Sequence, residues 1–121
     1  MRIQLLSVAA LLSIPLGAVA QDQPVPTQFQ GKWAGSLKTC PSPGDGRLEI
    51  GPNTIRFYES RGKVLAVRVL DPQSVELDLE LTGEGETWRE TRKFVLSTDK
   101  RILTDVTPAH PQYHTARVRC A

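Results

Sequence analysis

The chain has 121 residues, of which 40% are apolar and 23% are charged, and its formal net charge is +2. This composition is typical of a soluble globular protein, and the net charge is too small to indicate nucleic acid or a membrane surface as a partner, since these require a basic patch or stripe. The length suits one domain, and two cysteines exclude both a disulfide-dense scaffold and a zinc site built from four cysteines.

Residues 1–20 have the pattern of a secretory signal peptide. Arg2 gives a positive start, a long apolar stretch follows, and the small residues Ala18 and Ala20 precede a polar segment. The apolar stretch is too short to span a bilayer comfortably. We therefore predict cleavage after Ala20 and a periplasmic or secreted protein with no membrane attachment. Cleavage leaves 101 residues with a net charge of +1, because Arg2 is the only charged residue removed.

Residues 21–28 contain two prolines and are expected to form a flexible leader, followed by a β-barrel domain over residues 29–121. In this domain, short stretches of alternating apolar and polar residues are separated by turns rich in Gly, Pro, Asn and Asp. The clearest stretch covers 74–81, where a strict period of two indicates a strand with one buried face. The predicted strands are 33–39, 47–50, 54–59, 63–70, 74–81, 87–96, 101–105 and 112–119.

About eight short strands joined by tight turns predict an all-β fold, a single small antiparallel meander. Open sheet edges invite aggregation, so we expect the sheet to curl into a barrel or fold into a sandwich, and we favour the barrel. An eight-stranded barrel is just wide enough to be filled by side chains or to hold one small ligand. Because the strands are short, we expect a mostly filled interior.

Cys40 and Cys120 are the only cysteines, and both follow the predicted cleavage site. In an oxidising compartment we expect one disulfide between them. If the first and last strands are antiparallel neighbours, the two cysteines lie at opposite ends of the barrel. The bridge then requires either an odd number of strands or a loop that folds Cys40 back.

Phe29, Gly31 and Trp33 form the pattern F-x-G-x-W at the entry to the first strand. This pattern resembles the opening motif of lipocalins and other calycin-type barrels. In that family the glycine lets the chain turn into the barrel floor, and the tryptophan plugs that end against an arginine from near the last strand. The resemblance implies that Gly31 and Trp33 close the barrel together with Arg117 or Arg119. It supplies no ligand-binding residues.

The stretch around residue 90 places charged residues in phase with aromatic ones. Trp88, Glu90, Arg92 and Phe94 occupy alternate positions, so aromatic side chains that point inward would bring Glu90 and Arg92 inward too. Burying a charge pair costs several kcal/mol per ion unless the pair is well satisfied. Either a bulge resets the phase between Trp88 and Phe94, or the charges lie at a barrel mouth and shape a polar site there. We favour a bulge or simple placement at the rim, and keep Glu90 and Arg92 as a possible polar site.

An acidic row, Glu76, Asp78 and Glu80, occupies the polar face of the strand over 74–81. One interpretation is a surface for a cation or a partner. We favour a solvated strand face that is balanced by Arg68 and by basic residues of the following strand, since cross-strand pairs of opposite charge stabilise a sheet.

Neither the histidines nor the hydroxyl residues form a recognised catalytic or metal-binding motif. His110 and His114 are four residues apart, but Pro111 disfavours a helix here and no third ligand is evident, so we predict no metal and no cofactor. The sequence also lacks G-x-S-x-G, H-E-x-x-H and a glycine-rich phosphate loop. We therefore predict no catalytic residues and no enzymatic activity.

These observations favour an exported, monomeric, non-catalytic binding protein whose partner is a protein or a small molecule. The first interpretation is a partner-binding module, since the size and the export signal resemble those of small periplasmic inhibitors of proteases or lysozymes. Such a module would use residues 41–46 and 106–112, two long proline-rich loops. The alternative is a lipocalin-like carrier of a small apolar ligand, and an enzyme of unknown type ranks third.

Overall fold

The computed structural model describes residues 23–121, so the predicted signal peptide lies outside the described residues. The described chain has eight strands and four single turns of 3-10 helix, and none of its helices is long and apolar enough to cross a bilayer. The strands are Gly31–Ala34 (β1), Leu48–Ile50 (β2), Thr54–Phe57 (β3), Arg61–Asp71 (β4), Ser74–Gly83 (β5), Glu86–Leu96 (β6), Ile102–Asp105 (β7) and Thr115–Arg119 (β8).

Each strand pairs antiparallel with the next, and β1 also pairs with β8, so the sheet is a closed barrel. Trp33 lies opposite Arg119, and Ala34 lies opposite Val118, across the seam between the first and last strands. Closure removes the open edges that would otherwise invite aggregation. The predicted antiparallel meander barrel of eight strands is thereby confirmed.

Two segments that the sequence analysis assigns to strands are 3-10 turns instead. Leu37–Thr39 turns because the Ser36 and Thr39 side chains and backbone groups hydrogen-bond with one another. Pro111–Tyr113 turns because its first residue is a proline, which has no N–H to donate to a sheet. Both turns shorten the adjoining strands, β1 and β8.

Apolar side chains fill the barrel interior over most of its length. The inward row of β5 is the clearest case, since Val75, Leu77, Leu79 and Leu81 are at most 1% exposed. The core consists of Val25, Phe29, Trp33, Leu48, Ile50, Ile55, Phe57, Val64, Val67, Val75, Leu77, Leu79, Leu81, Phe94, Leu96 and Leu103. Full burial of such side chains stabilises the fold by roughly 1.5–3 kcal/mol each.

The segment before β1 seals one end of this core. Val25 is 1% exposed, and its backbone N–H donates to the carbonyl of Pro52 at 2.8 Å. Thr27–Phe29 makes a single 3-10 turn that buries Phe29. From Val25 onward the chain therefore differs from the flexible leader predicted for residues 21–28, because an apolar side chain among the prolines anchors it in the core.

The connections between strands alternate between the two ends of the barrel. The segment before β1 and the turns 51–53, 72–73 and 97–101 lie at one end, which we call the closed end. The connections 35–47, 58–60, 84–85 and 106–114 lie at the other end, which we call the open end.

The disulfide joins Cys40 to Cys120, with 5.6 Å between their Cα atoms. β1 has only four residues, and the chain after it turns back through Leu37–Thr39 towards β8. The N–H of Cys120 donates to the carbonyl of Lys32 at 2.8 Å, which continues the pairing of β8 with β1. The number of strands is therefore even, and a loop that folds Cys40 back makes the bridge.

Candidate functional site

The closed end carries a tryptophan covered by an arginine, as the lipocalin resemblance implies. The guanidinium of Arg119 lies over the Trp33 ring, 4.2 Å from its centroid. Its Nη1 and Nη2 donate to the carbonyls of Gln30 at 2.7 Å and Gln28 at 2.5 Å. These contacts make the closed end a structural plug rather than a site for a ligand.

Gly31 makes this plug sterically possible. Its φ of +128° lies in a region that other residues rarely adopt, and a Cβ built there would lie 3.0 Å from Nη1 of Arg119. Gly31, Trp33 and Arg119 therefore occupy the closing positions, whereas Arg117, the other arginine considered for this role, does not contact Trp33 in this way.

Arg117 instead points into the barrel at the open end. The residue is 8% exposed, and within residues 23–121 only its Nε has a hydrogen-bond partner, the carbonyl of Gly46 at 2.8 Å. Its Nη1 is buried and has no partner in that part of the chain. Burial is the main cause that lowers the pKa of Arg117; the charge of Asp105 opposes this effect and the charge of Arg92 adds to it.

Glu90 and Arg92 also face the interior at the open end. β5 and β6 pair without a register shift along their whole paired length, so no bulge resets the phase between Trp88 and Phe94. The inward row consequently runs from Trp88 at the rim, 36% exposed, through Arg92, 6% exposed, to the fully buried Phe94. The bulge that the sequence analysis favours is therefore wrong, and the charged side chains face the barrel mouth.

Arg92 bridges two carboxylates. Its Nε donates to Oε2 of Glu90 at 2.7 Å, and its Nη1 donates to Oδ2 of Asp105, a residue with no exposed surface. The other Asp105 oxygen accepts from the backbone N–H of Thr107 at 3.0 Å and from its hydroxyl at 2.6 Å. Oε1 of Glu90 accepts from the indole N–H of Trp88 at 2.8 Å. All four carboxylate oxygens are thus partnered, which offsets the cost of burying the charges.

Aromatic rings hold the Arg92 guanidinium from the sides. Its central carbon lies 4.4 Å from the ring centroid of Phe57 and 4.0 Å from that of Tyr113. A cation over an aromatic face gains about 0.5–2 kcal/mol. Phe57 belongs to β3 and Tyr113 to the connection before β8, so Arg92 joins opposite sides of the open end and makes its wall rigid.

A pocket of about 360 Å³, which we call the mouth pocket, lies against this network. The loops 41–46 and 106–112, which the sequence analysis selects for binding, contribute Asp45 and Gln112 to it. Three of its aromatic residues are exposed: Tyr58 at 55%, Tyr113 at 38% and Trp88 at 36%. The lining residues are Asp45, Phe57, Tyr58, Glu59, Ser60, Trp88, Glu90, Arg92, Gln112, Tyr113, Thr115 and Arg117.

A larger groove of about 710 Å³ is lined by residues of β1 to β5. Its polar lining includes Lys32, Arg56 and Lys63, and Arg56 of β3 lies directly opposite Arg61 of the adjacent β4. Only Glu49 contacts any of these cations within salt-bridge distance, at 3.7 Å from Arg56 in the described chain. Because no network fixes these side chains, we regard the mouth pocket as the better candidate site.

The acidic row of β5 is balanced as the sequence analysis expects. Arg68 donates from Nε to Glu76 at 2.7 Å and from both terminal nitrogens to Asp78 at 2.8 and 2.6 Å. Thr91 adds a hydrogen bond to Asp78 at 2.8 Å. The Arg68 hydrogen bonds are the main cause that lowers the pKa of Asp78 below its usual value of 3.8. This face is therefore an ion-pair network on the outside of the barrel.

The two histidines make separate contacts. Nε2 of His114 lies 2.7 Å from the carbonyl oxygen of Thr107, and the His110 ring packs against Tyr113 with 4.9 Å between centroids. Across residues 23–121, no group of three or more His, Cys, Asp and Glu side chains is arranged to hold a metal ion.

Sequence reasoning identified Glu90 and Arg92 and missed their partners. Asp105 has the same phase on β7 as the buried Leu103, so its inward direction was available from the alternation. Phe57 has the same phase on β3 as the buried Ile55, but no sequence signal places it next to Arg92, because the two residues are distant in the chain. Tyr113 lies in a connection without alternation, and no sequence signal marks its position.

No protein-family model, curated protein or solved structure matches this chain. The function is therefore inferred from the geometry of the open end and from the composition of the chain.

Proposed function

We propose that this chain is an exported, non-catalytic binding protein that recognises a partner protein at the open end of its barrel. The observation that carries the proposal is the mouth pocket. Its wall is fixed by the Arg92 network, and three exposed aromatic side chains, Tyr58, Trp88 and Tyr113, stand around it. Inhibition of a secreted hydrolase is the most concrete form of this function.

The composition of the mouth pocket suits recognition of a protein. Tyrosine, tryptophan and arginine are the residues most enriched among those that dominate binding energy at protein interfaces. Two of the surrounding connections, 41–46 and 106–112, contain prolines that restrict the unbound chain. A surface organised before binding loses less conformational entropy on association, which favours affinity.

The filled core argues against a carrier with an enclosed ligand. Beneath Arg92 the inward position is taken by Phe94, and Leu77 of β5 lies opposite Arg92 in register; Phe94 and Leu77 are both fully buried. The mouth pocket is at the small end of the range for ligand sites, roughly 300–1,000 Å³. The plug formed by Trp33 and Arg119 supports a lipocalin-like barrel, but one that uses its rim rather than a roomy interior.

The bonding of the two carboxylates that contact Arg92 supports a structural role for them. Glu90 lines the mouth pocket, Asp105 is fully buried, and both are engaged by Arg92. Each also accepts a further hydrogen bond, from Trp88 or from Thr107. Carboxylates held in this way stabilise a structure, whereas a general base needs an oxygen that is available to the substrate.

A panel of purified secreted lysozymes and proteases tests the proposal. Binding is measured by interferometry and inhibition by enzyme assay, with the wild-type chain, a Tyr58→Ala/Trp88→Ala variant and a Leu70→Ala control. Leu70 is 49% exposed at the other end of the barrel, so it matches the removed aromatics in exposure. We expect at least one enzyme to bind, the double variant to weaken that binding tenfold or more, and the control to leave it unchanged.

Photo-crosslinking locates the surface independently. A crosslinking residue at position 58 is expected to capture the bound enzyme, and the same residue at position 70 is not. Capture from position 70 alone would contradict the open end as the binding surface. If no enzyme of the panel binds or is slowed, the inhibitor form of the proposal fails.

A further inference from the structure

We propose that the mouth pocket binds a carboxylate group of the partner, an acidic side chain or a chain terminus, through Arg117 and Arg92. This inference rests on the proposed function, because it specifies the chemical group that the partner inserts. Its starting point is a buried cation, Arg117, whose Nη1 has no acceptor in the described part of the chain.

Arg117 is more than nine-tenths buried and lines the mouth pocket, yet it uses one hydrogen bond donor out of five. Its Nε donates to Gly46, and its Nη1 is buried without a partner within residues 23–121. Leaving a buried charged donor unpaired is costly, so most such groups in proteins are paired. A hydrogen bond acceptor on a ligand would pair with the Arg117 donors that have no partner in the described chain.

The carboxylates nearby do not fill this role. Asp105 acts on the charge of Arg117, but its two oxygens accept hydrogen bonds from Arg92 and Thr107. Both oxygens of Glu90 are likewise taken, by Arg92 and Trp88. Arg92 uses only Nε and Nη1 in these bonds, so its Nη2 makes no hydrogen bond within the described chain and is free to donate to a ligand.

A carboxylate matches this set of donors better than other acceptors. Its two oxygens fit the fork of a guanidinium, and such charge-assisted pairs are stronger than neutral hydrogen bonds. The aromatic rings of Phe57, Tyr113 and Trp88 in the same pocket suit an apolar stem behind the carboxylate. The volume of about 360 Å³ limits the inserted group to a side chain or a chain end.

Acidic side chains at the rim of the mouth pocket further restrict the kind of anion that can bind there. Asp45 and Glu59 line the same pocket, and no salt bridge engages either of them in the described part of the chain. Their negative charges disfavour a polyanion or a doubly charged phosphate. We therefore expect a single carboxylate whose neighbours are neutral or basic.

Phenylacetate and phenylacetamide are the probes that test this inference, because they share a ring and a stem and differ in charge. Each is titrated into the purified full-length mature chain, and binding is followed by backbone amide NMR and by the indole resonance of Trp88. We expect phenylacetate to shift the resonances of Arg117 and Trp88, and phenylacetamide to bind at least tenfold more weakly.

Variants assign the effect to Arg117. Arg117→Met keeps the length of the side chain and is expected to weaken phenylacetate binding tenfold or more. Arg89→Met, which removes an outer-face arginine whose side chain is 75% exposed, is the matched control and leaves binding unchanged. If Arg117→Met does not fold by circular dichroism, Arg117→Gln keeps a polar group towards Gly46 and replaces it in the comparison.

The outcomes separate this inference from the proposed function. Equal binding of the two probes, or unchanged phenylacetate binding in the Arg117 variants, would overturn the carboxylate while enzyme capture at position 58 still supports the proposed function. Binding of phenylacetate that depends on Arg117 but does not compete with the captured enzyme would assign the carboxylate to a free small acid and overturn the partner as its source. Competition between phenylacetate and the captured enzyme would support both the proposed function and the carboxylate inference.

Discussion

Trp33 and Arg119 are partners both in the strand pairing and in the packing of their side chains. They are directly opposite in the register of β1 and β8, and the Arg119 guanidinium lies 4.2 Å from the centroid of the Trp33 ring. Trp33 belongs to the first strand and Arg119 to the last, so one pair of side chains covers the seam that closes the barrel. The seam and the plug of the closed end therefore depend on the same contact.

We expect Arg119→Met to lower the free energy of unfolding by about 1–3 kcal/mol, because it removes the contact with the ring and three charged hydrogen bonds to backbone carbonyls. Arg101→Met is the control, since the Arg101 side chain is exposed and forms no salt bridge in the described residues. Urea denaturation measures both variants. Equal stability of the two variants would show that the plug contributes nothing measurable.

Removal of the disulfide is expected to destabilise the barrel. The bridge closes a loop with a sequence separation of 80, for which the chain-entropy relation gives about 4.5 kcal/mol. We expect the Cys40→Ser/Cys120→Ser variant to melt at least about 10 °C below the oxidised protein. Circular dichroism with and without reductant measures this, and reductant should leave the variant unaffected. A melting temperature that is insensitive to reduction would contradict a stabilising bridge.

Asp105 is expected to be the residue of the open end on which folding depends most. Asp105→Asn leaves Arg92 buried without its most buried carboxylate partner, and breaking one side of a buried ion pair costs about 3–5 kcal/mol. Asp45→Asn, at the exposed rim of the same pocket, is the control. An Arg92→Met/Asp105→Leu variant should lose less stability than Asp105→Asn, since it leaves no unpaired charge. A larger loss in the double variant would show that packing, not charge, is decisive here.

Acid sensitivity should depend on Asp78. Its pKa is lowered in the folded protein, mainly by hydrogen bonds from Arg68, so its contribution to stability is present above the unfolded pKa of 3.8. That contribution is lost as the pH falls through the lower folded pKa. Both side chains are about a third exposed, at 29% for Arg68 and 36% for Asp78, so we expect an effect of about 1 kcal/mol or less that decreases with salt.

Urea denaturation between pH 2 and pH 7 checks this dependence, with Asp78→Asn compared to Glu86→Gln. Glu86 is exposed and forms no salt bridge within the described chain. The stability gap between Asp78→Asn and the wild type should be largest near neutral pH and should close in acid, whereas Glu86→Gln should follow the wild type. A gap that persists at pH 2 would contradict the role of the charge.

The alternation of side chains along the strands indicates the inward direction of more open-end residues than the sequence analysis used. The alternation places Glu90 and Arg92 inward, but a bulge or a position at the rim is the interpretation that the sequence favours, and only the unshifted pairing of β5 with β6 excludes the bulge. Whether a ladder contains a bulge depends on the partner strand, which one sequence does not reveal. The choice between Arg117 and Arg119 was equally open, because both have the phase of an inward residue on β8.

The sequence by itself determined most of the strands and turns, the filled interior and the disulfide, but not the 3-10 turns at Leu37–Thr39 and Pro111–Tyr113. The features that it determined follow from local rules: a period of two, the positions of Gly and Pro, and the chemistry of two cysteines in a chain that the sequence predicts to be exported. Only the tertiary structure decided that Cys40 folds back to Cys120, that Arg119 covers Trp33, and that Arg117 is left with unpaired donors at the open end. Each of these depends on contacts between strands distant in the chain, which form only when the barrel closes.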